Sequence, residues 1–190
     1  MKMQRDCGSD RHLVRPLTIW FTGLSGAGKS TLAGAYNAHL RALERPSYVL
    51  DGDAVRSGLN ADLGFAPDSR RENIRRVAHV ARLMNDAGLT VIAALISPMK
   101  EDRDMARQIV GNENFVEIHL STSLETCVRR DPKGLYEKAR RGEITSFTGI
   151  SAPYEIPEAP DVRLDTGTLS LAASLAMLDD YITNFGRCNG

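Results

Sequence analysis

A glycine-rich stretch near the start of the chain carries the residue types that bind a nucleoside triphosphate. Residues 23–30, Gly-Leu-Ser-Gly-Ala-Gly-Lys-Ser, fit the pattern G-x-x-x-x-G-K-[ST] and follow an apolar run that ends at Phe21. Glycines let backbone N–H groups line a phosphate without obstruction by Cβ, and a helix N-terminus adds partial positive charge. In this pattern Lys29 reaches the β and γ phosphates, and the Ser30 hydroxyl binds Mg²⁺. The stretch therefore predicts a phosphate-binding loop that opens a helix over residues 29–44.

Other nucleotide-binding patterns are missing from the sequence. The dinucleotide fingerprint G-x-G-x-x-G fails, because Thr31 stands where its third glycine belongs. An Asn-Lys-x-Asp guanine reader does not occur, which argues against a GTPase, and a motor ATPase needs a longer chain. A small phosphate-loop domain with a basic flap is instead typical of a kinase for a small molecule. Such a flap must close because water would otherwise accept the γ-phosphoryl group.

Two carboxylates follow the next apolar run. Asp51 and Asp53 come directly after residues 47–50, at the position where open α/β sheets bind their ligands. If the strand continues through them, their spacing of two puts both side chains on the same side. Such a pair can hold a metal-bound water or take the proton of an attacking hydroxyl. Two solvated turn aspartates around Gly52 are the alternative, and the spacing alone leaves both open.

Regular elements must position these groups, and the apolar pattern indicates where they lie. Five short apolar runs lack strict alternation, as strands buried on both faces do: residues 17–21, 47–50, 90–96, 115–120 and 162–164. Between them, apolar residues recur at helical spacing: Leu32, Tyr36, Leu40 and Leu43, then Ile74, Val77, Ala78, Ala81 and Met84, then Leu171, Leu175, Leu178, Ile182 and Phe185. Gly88 stands where the second helix should be capped. The alternation predicts an α/β, P-loop NTPase fold: a parallel five-stranded sheet flanked by helices.

Length and composition fit one domain and exclude several classes of protein. The chain has 190 residues, of which 42% are hydrophobic, enough for a continuous core. Lysine and arginine together number 24, as do aspartate and glutamate together. The chain therefore lacks the basic excess that is typical of proteins that bind nucleic acid. No apolar run approaches the roughly 18 residues of a membrane span. Cys7, Cys127 and Cys188 are too widely spaced for a zinc ribbon or a disulfide scaffold, so we expect reduced thiols in a cytoplasmic protein.

Three regions are predicted along the chain. Residues 1–15 are charged and polar without a period and predict a flexible N-terminal arm. Residues 16–188 carry the strands and helices of a single P-loop kinase domain. Within it, residues 129–149 are polar, basic and glycine-bearing with little apolar period, which predicts a basic surface lid.

Longer motifs make the pattern more specific. Besides residues 23–31 they are residues 50–53 (Leu-Asp-Gly-Asp), 58–65 (Gly-Leu-Asn-Ala-Asp-Leu-Gly-Phe), 71–76 (Arg-Glu-Asn-Ile-Arg-Arg), 86–88 (Asp-Ala-Gly), 96–98 (Ile-Ser-Pro), 130–136 (Arg-Asp-Pro-Lys-Gly-Leu-Tyr) and 147–149 (Phe-Thr-Gly). In these motifs the chain resembles the adenylylsulfate kinase (APS kinase) family, with little interruption over residues 17–160. The resemblance implies ATP-dependent phosphorylation of the 3′-hydroxyl of adenosine 5′-phosphosulfate (APS). The products would be 3′-phosphoadenosine 5′-phosphosulfate (PAPS) and ADP, in sulfate activation.

The same resemblance implies a site for each substrate. Catalytic roles fall to Lys29, Asp51 and Asp53, while Ser30 and Asp51 hold Mg²⁺; which carboxylate is the base stays open. The residues implied for ATP are Gly23, Leu24, Ser25, Gly26, Ala27, Gly28, Lys29, Ser30, Thr31 and Arg130. Those implied for APS are Asp53, Arg56, Phe65, Arg70, Asn73, Ile96, Ser97, Lys133, Leu135 and Phe147. Phe65 and Phe147 match the pair that sandwiches the acceptor adenine, where stacking is worth roughly 1–3 kcal/mol per base.

Four positions depart from the family pattern. Ala54 stands where Asn is common, Ser57 where His or Gln is common, Ser69 where an acidic residue is usual, and Met99 where Tyr is common. Two alternatives therefore stay open: a related kinase for another nucleotide-like acceptor, or an inactive nucleotide-binding partner of ATP sulfurylase. The resemblance further implies a homodimer. Because the chain has no room for a sulfurylase, it also implies a separate ATP sulfurylase that supplies APS.

Overall fold

Strands and helices alternate along the chain in the computed structural model, which describes residues 15–188 and the side chains of residues 15–185. The strands are β1 (Thr18–Thr22), β2 (Ser47–Asp51), β3 (Thr90–Ala94), β4 (Phe115–Leu120) and β5 (Val162–Leu164). The helices are α1 (Lys29–Ala42), α2 (Gly52–Ser57), α3 (Pro67–Asp86), α4 (Lys100–Val110), α5 (Leu124–Arg130), α6 (Leu135–Arg140) and α7 (Leu171–Cys188). A short 3₁₀ turn, Asn112–Asn114, leads into β4. Apart from Arg15, the predicted arm lies outside the described residues.

All five strands form one parallel sheet in the order β2-β3-β1-β4-β5, so the predicted parallel sheet is confirmed. β1 lies at its centre, with Ile19 opposite Ile92 of β3 on one side and Val116 of β4 on the other. Every residue of β1 and β3 is buried, which explains why their runs lack polar alternation. The order also brings the carboxyl ends of β1, β3 and β2 side by side, where ligands bind in such sheets.

Helices cover both faces of this sheet. On one face, Ile19 packs in a cluster with Tyr36 of α1 and Ile182 of α7. On the other face, Trp20 packs in a cluster with Val77 of α3, and α4 joins the same cluster. Burying each large apolar side chain contributes about 1.5–3 kcal/mol, so the apolar face of each helix is what attaches it to the sheet.

Helix and strand ends differ in part from the sequence prediction. α1 ends at Ala42 and not at residue 44, because the backbone leaves the helical conformation at Leu43 and Glu44 takes a φ of 55°. Leu43, predicted on the apolar face, is exposed. β3 ends at Ala94, two residues earlier than its apolar run suggests. The predicted cap at Gly88 is confirmed, since its φ is 88° and its N–H donates to the Asn85 carbonyl at 2.9 Å.

The basic lid, residues 129–149, is also attached to the hydrophobic core. It contains α6, whose Tyr136 is only 1% exposed, and it ends near Phe147, which is 7% exposed. The two rings pack edge to face with centroids 4.9 Å apart, within the core cluster on the α1 side. The segment predicted as a basic surface lid is therefore held to the core by these two rings. Two rings eleven positions apart form no helical or strand period, so the pattern did not indicate them.

Candidate active site

One cleft of about 1500 Å³ at the carboxyl edge of the sheet collects most residues that the sequence predicts for the site. They are Ser25, Gly26, Gly28, Lys29, Ser30, Thr31, Asp51, Asp53, Arg56, Phe65, Arg70, Asn73, Ile96, Ser97, Arg130, Lys133, Leu135 and Phe147. Three predicted ATP-binding residues do not line it. Ala27 belongs to the loop but is fully buried. Gly23 and Leu24 accept hydrogen bonds from Lys29 at their backbone carbonyls.

The phosphate loop takes backbone conformations that its glycines allow. Gly26 and Gly28 have φ of 76° and 92°, in the left-handed region that residues with a Cβ rarely adopt. A Cβ on Gly26 would lie 2.9 Å from the carbonyl oxygen of Cys127, a buried free cysteine of α5. Gly28 directly precedes α1, so the loop opens a helix N-terminus as the sequence predicts.

Lys29 lies beneath the loop and is 8% exposed. Its Nζ donates to the carbonyls of Gly23 and Leu24, at 2.8 Å each. Burial lowers the pKa of Lys29 from 10.5 to about 8, because an ammonium group is poorly solvated there. Because so little water surrounds this cation, its electrostatic attraction to an anionic phosphate in the loop is strong.

The two predicted carboxylates diverge in the structure. β2 ends at Asp51, whose Oδ1 accepts a hydrogen bond of 3.0 Å from the Asp53 N–H and so caps α2. The chain turns into a helix there, so the strand does not continue through both residues and the condition for a same-side arrangement is not met. Ser30 Oγ donates to Asp51 Oδ2 at 2.6 Å, whereas Asp53 forms an ion pair with Lys133 of the lid. Asp51 thus meets the phosphate loop, and Asp53 meets the lid.

Ser30 and Asp51 together fit a magnesium ion. Their contact of 2.6 Å brings a hydroxyl and a carboxylate oxygen together beside the phosphate loop. Mg²⁺ is commonly bound by one or two carboxylates together with substrate phosphates and water. No cluster of three or more His, Cys, Asp or Glu side chains suited to a metal occurs among the described residues. A metal at this pair would therefore complete its coordination with phosphate oxygens and water.

Two arginines that the sequence assigns to the acceptor are tied to the segment around Phe65. Arg56 donates to the Gly64 carbonyl at 2.9 Å, and its guanidinium lies 4.5 Å from the centroid of the Phe65 ring. Arg70 donates to the Phe65 carbonyl at 2.8 Å and to Thr148 Oγ1 of the lid at 2.5 Å. Arg56 and Arg70 both line the cleft, so this side carries two fixed positive charges.

The two rings predicted to clamp the adenine, Phe65 and Phe147, differ in their solvent exposure. Phe65 is 64% exposed at the rim of the cleft, while Phe147 is 7% exposed and packs on Tyr136. Both line the cleft. The structure therefore brings the two rings to one site, and their stacking on a base stays a prediction.

Asn73, Ile96 and Ser97 line the same side, and buried polar groups orient two of their side chains. Asn73 Oδ1 accepts a hydrogen bond of 2.9 Å from Asn60 Nδ2. Ser97 Oγ accepts one of 3.0 Å from the indole N–H of Trp20. The Ser97 hydroxyl keeps its own proton as a donor.

Arg130 links the start of the lid to the phosphate loop. Its Nη1 donates to the Gly26 carbonyl at 3.3 Å and to Thr166 Oγ1 at 2.8 Å, and its Nη2 donates to the Thr166 carbonyl at 2.5 Å. Leu135 also lines the cleft and packs against the core cluster on the α1 side. The two residues place the beginning of the lid over the loop.

Comparison with known proteins identifies the family. The family model of adenylylsulphate kinase matches residues 15–165. The chain belongs to the APS kinase family. Adenylyl-sulfate kinases of Shewanella amazonensis and Pseudomonas entomophila are 55% and 54% identical to it, each over 90% of this chain and over 87% and 83% of their own. The solved Mycobacterium tuberculosis APS kinase, in complex with AMPPNP and APS, is 47% identical with a TM-score of 0.86 and covers 89% of this chain and 98% of its own.

In this APS kinase family member the cleft extends past the residues that the sequence predicts. Thr166 and Leu169, from the loop after β5, and Leu171 and Ser174, from the start of α7, also line it. None of the residues that the sequence predicts for the site lies after Phe147. The rule that ligands bind at the carboxyl ends of parallel strands, applied to β5, would have found this segment.

Proposed function

We propose that this member of the APS kinase family transfers the γ-phosphoryl group of ATP to the 3′-hydroxyl of APS, giving PAPS and ADP. The observation that carries the proposal is the single cleft, with the phosphate loop on one side and basic and aromatic side chains on the other. Asp51 contacts the loop through Ser30, and Asp53 contacts the lid through Lys133. The carboxylates thus connect a site for a triphosphate with a site for an anionic nucleotide.

The solved Mycobacterium tuberculosis relative supports both ligands, because it was obtained with an ATP analogue and APS in complex. We assign the ATP phosphates to the loop. The ATP base would then lie along Arg130, Thr166 and Leu169, since Arg130 joins the loop at Gly26 to the segment after β5. APS would occupy the opposite side, where Arg56 and Arg70 offer positive charge.

Charge neutralisation and positioning account for most of the proposed mechanism. Phosphoryl transfer passes through a loose transition state, which needs little nucleophilic push. Lys29 and the loop N–H groups would hold the β and γ phosphates in the geometry of transfer. When bound, Mg²⁺ supplies further positive charge to the phosphate oxygens, and Ser30 and Asp51 are the residues that would hold it.

We assign Asp53 to the acceptor hydroxyl. Asp51 is engaged by Ser30 and by the N–H of Asp53, which favours the metal side for it. The Asp53 side chain is 72% exposed, and its ion-pair partner is Lys133 of the lid. An anionic acceptor would compete for Lys133 and so release Asp53, which can then orient the 3′-hydroxyl and take its proton.

The remaining expectations concern partners and location. A homodimer, a separate ATP sulfurylase that supplies APS, a cytoplasmic location and the lack of a nucleic-acid partner all stay predictions. In the part of the chain that the structure describes, no helix is both long and apolar enough to cross a bilayer. Light scattering on the purified protein would test the dimer directly.

A coupled ADP-release assay tests the proposed reaction. ATP and Mg²⁺ are supplied with APS or adenosine 5′-phosphate as acceptor, and the position of the new phosphate is determined by phosphorus NMR. We expect APS to have the highest kcat/KM and the new phosphate to be on the 3′-oxygen. Lys29→Ala should lose at least about a hundredfold in rate, the scale of one lost electrostatic contact.

Other results of this assay would favour the other functions. A higher kcat/KM for another nucleotide would favour a related kinase. APS binding without turnover would favour an inactive nucleotide-binding partner. Near-wild-type kcat in Lys29→Ala would contradict the assignment of the loop.

A further inference from the structure

The turn that follows β3 lines the acceptor side of the cleft in a strained conformation. Ile96, Ser97 and Pro98 all line the cleft. Ser97 has a φ of 44°, in the left-handed region that a residue with a Cβ rarely adopts. Such a conformation persists only where the surrounding structure holds it, and it is common at ligand sites. From β1, Trp20 donates to the Ser97 hydroxyl at 3.0 Å and Thr22 Oγ1 donates to the Ile96 carbonyl at 2.7 Å.

One guanidinium donates to both remaining carbonyls of the turn, and the Ser97 carbonyl also accepts from Thr22 Oγ1 at 3.3 Å. Arg103, in the first turns of α4, donates from Nη1 to the Ser97 carbonyl at 2.9 Å and to the Pro98 carbonyl at 3.2 Å. The Pro98 carbonyl also accepts from the Glu155 N–H at 2.9 Å. The carbonyl oxygens are thus engaged by protein donors. An anionic acceptor therefore meets less of their negative charge than it would if they were free.

The guanidinium is buried, and a carboxylate on another strand neutralises it. The Arg103 side chain is 3% exposed, and its Nε lies 2.9 Å from Oε1 of Glu117, which is 12% exposed. Glu117 belongs to β4, which lies on the other side of β1 from β3. Through this pair, β4 helps to fix the turn at the end of β3, although β1 lies between the two strands.

Stability alone does not account for this pair. Removing two charges from water is costly, and replacing a buried ion pair by apolar residues often leaves stability unchanged or raises it. An apolar residue at position 103 could fill the space, but it could not donate to the two carbonyls of the turn. We propose that Arg103, neutralised by Glu117, is a positioning residue that holds residues 96–98 in the conformation that receives the acceptor. The proposal rests on the proposed phosphorylation of APS.

Three variants test this role. Arg103→Met removes the donors and leaves Glu117 with only the weaker ion pair to Arg107, whose Nη2 lies 3.8 Å from Oε2. Arg103→Met/Glu117→Leu also removes that carboxylate. Arg107→Met is the matched control. Arg107 lies one turn along α4 and also faces Glu117, at 3.8 Å, but it donates to Asp161 and the Phe115 carbonyl and not to the turn. KM for APS, KM for ATP, kcat and Tm are measured for each.

We expect both Arg103 variants to raise KM for APS by roughly tenfold to a hundredfold, the scale of a displaced binding group. KM for ATP should stay within about twofold, because the phosphate loop keeps its own contacts. The double variant should recover the Tm that Arg103→Met loses, yet keep the raised KM for APS. Arg107→Met should leave both KM values unchanged. If Arg103→Met does not fold, KM for APS is measured on the double variant and on Arg103→Lys instead.

Two results would overturn the role of Arg103. One is a folded Arg103 variant with unchanged KM for APS. The other is a double variant that regains the wild-type KM together with its Tm, since Arg103 would then support only the fold. The wild-type protein separates the two proposals. Failure to phosphorylate APS would contradict the proposed function, whereas turnover with unaffected variants would contradict only the positioning role.

Discussion

At the scale of single residues, Asp51 is where the phosphate loop meets the second strand, and its charge can be removed without changing its shape. We expect Asp51→Asn to lower kcat by roughly two to four decades, because a metal held at this carboxylate stabilises transition-state charge by several kcal/mol. APS affinity should change little, because an anionic acceptor gains nothing from a neighbouring carboxylate. If Asp51 binds the metal, as its contact with Ser30 favours, raising Mg²⁺ restores part of the rate.

Asp53→Asn is the matched variant for that experiment. It should also lower kcat, but Mg²⁺ should not restore the rate, because Asp53 faces Lys133 and the lid. Rescue of Asp53→Asn but not of Asp51→Asn by Mg²⁺ would reverse the two assignments, and full activity in Asp51→Asn would contradict the role of Asp51.

Lys29 gives a prediction about pH and stability. Burial holds its pKa near 8 in the folded protein, against 10.5 as the ordinary value. The unfolded chain binds more protons in this window, so the contribution of Lys29 to stability rises with pH from about 8 to about 10.5. Lys29→Met removes this titration. Without nucleotide, the Tm of the wild type minus the Tm of Lys29→Met should therefore increase as the pH rises from about 8 to about 10.5.

Thermal unfolding across this pH range measures the effect. Lys138→Met, on the exposed side of α6, controls for the introduction of a methionine. If the Tm curves of wild type and Lys29→Met stay parallel across the window, the lowered pKa of Lys29 is contradicted.

At the scale of elements, the lid and the segment before α3 each bring one ring to the cleft, and the two should respond differently to truncation. Phe65 is 64% exposed, so Phe65→Ala should weaken APS binding by roughly 1–3 kcal/mol while leaving Tm unchanged. Phe147 packs on Tyr136, so Phe147→Ala should also lower stability by about 3–5 kcal/mol. Titrations with APS and AMPPNP, together with thermal unfolding, separate the two effects.

Tyr48→Ala, which removes an exposed ring from β2, is the control for losing an aromatic side chain. AMPPNP affinity should be unchanged in all three variants. Equal losses for APS and AMPPNP in Phe65→Ala would argue against the clamp.

At the scale of the whole molecule, the two core clusters lie on opposite faces of one sheet, so the domain should unfold in one transition. AMPPNP with Mg²⁺ at a hundred times its Kd should stabilise the protein by about 2.7 kcal/mol. For a chain of this size that corresponds to a Tm increase of roughly 5–11 °C. Calorimetry measures both, with Lys29→Ala as the variant that should show no shift. Two separate transitions would contradict a single domain over residues 16–188.

The sequence by itself determined the fold class, the phosphate loop and the family. These depend on patterns that are local along the chain: strand runs buried on both faces, helical spacing, and the glycines and lysine of residues 23–30. Tertiary structure decided how Asp51 and Asp53 diverge, how Phe147 joins the core, and how Thr166 reaches the cleft. It also decided that Arg103 would meet Glu117 across β1. Each of these depends on contacts between residues far apart in sequence, and the pattern around one position does not specify which distant side chain will lie against it.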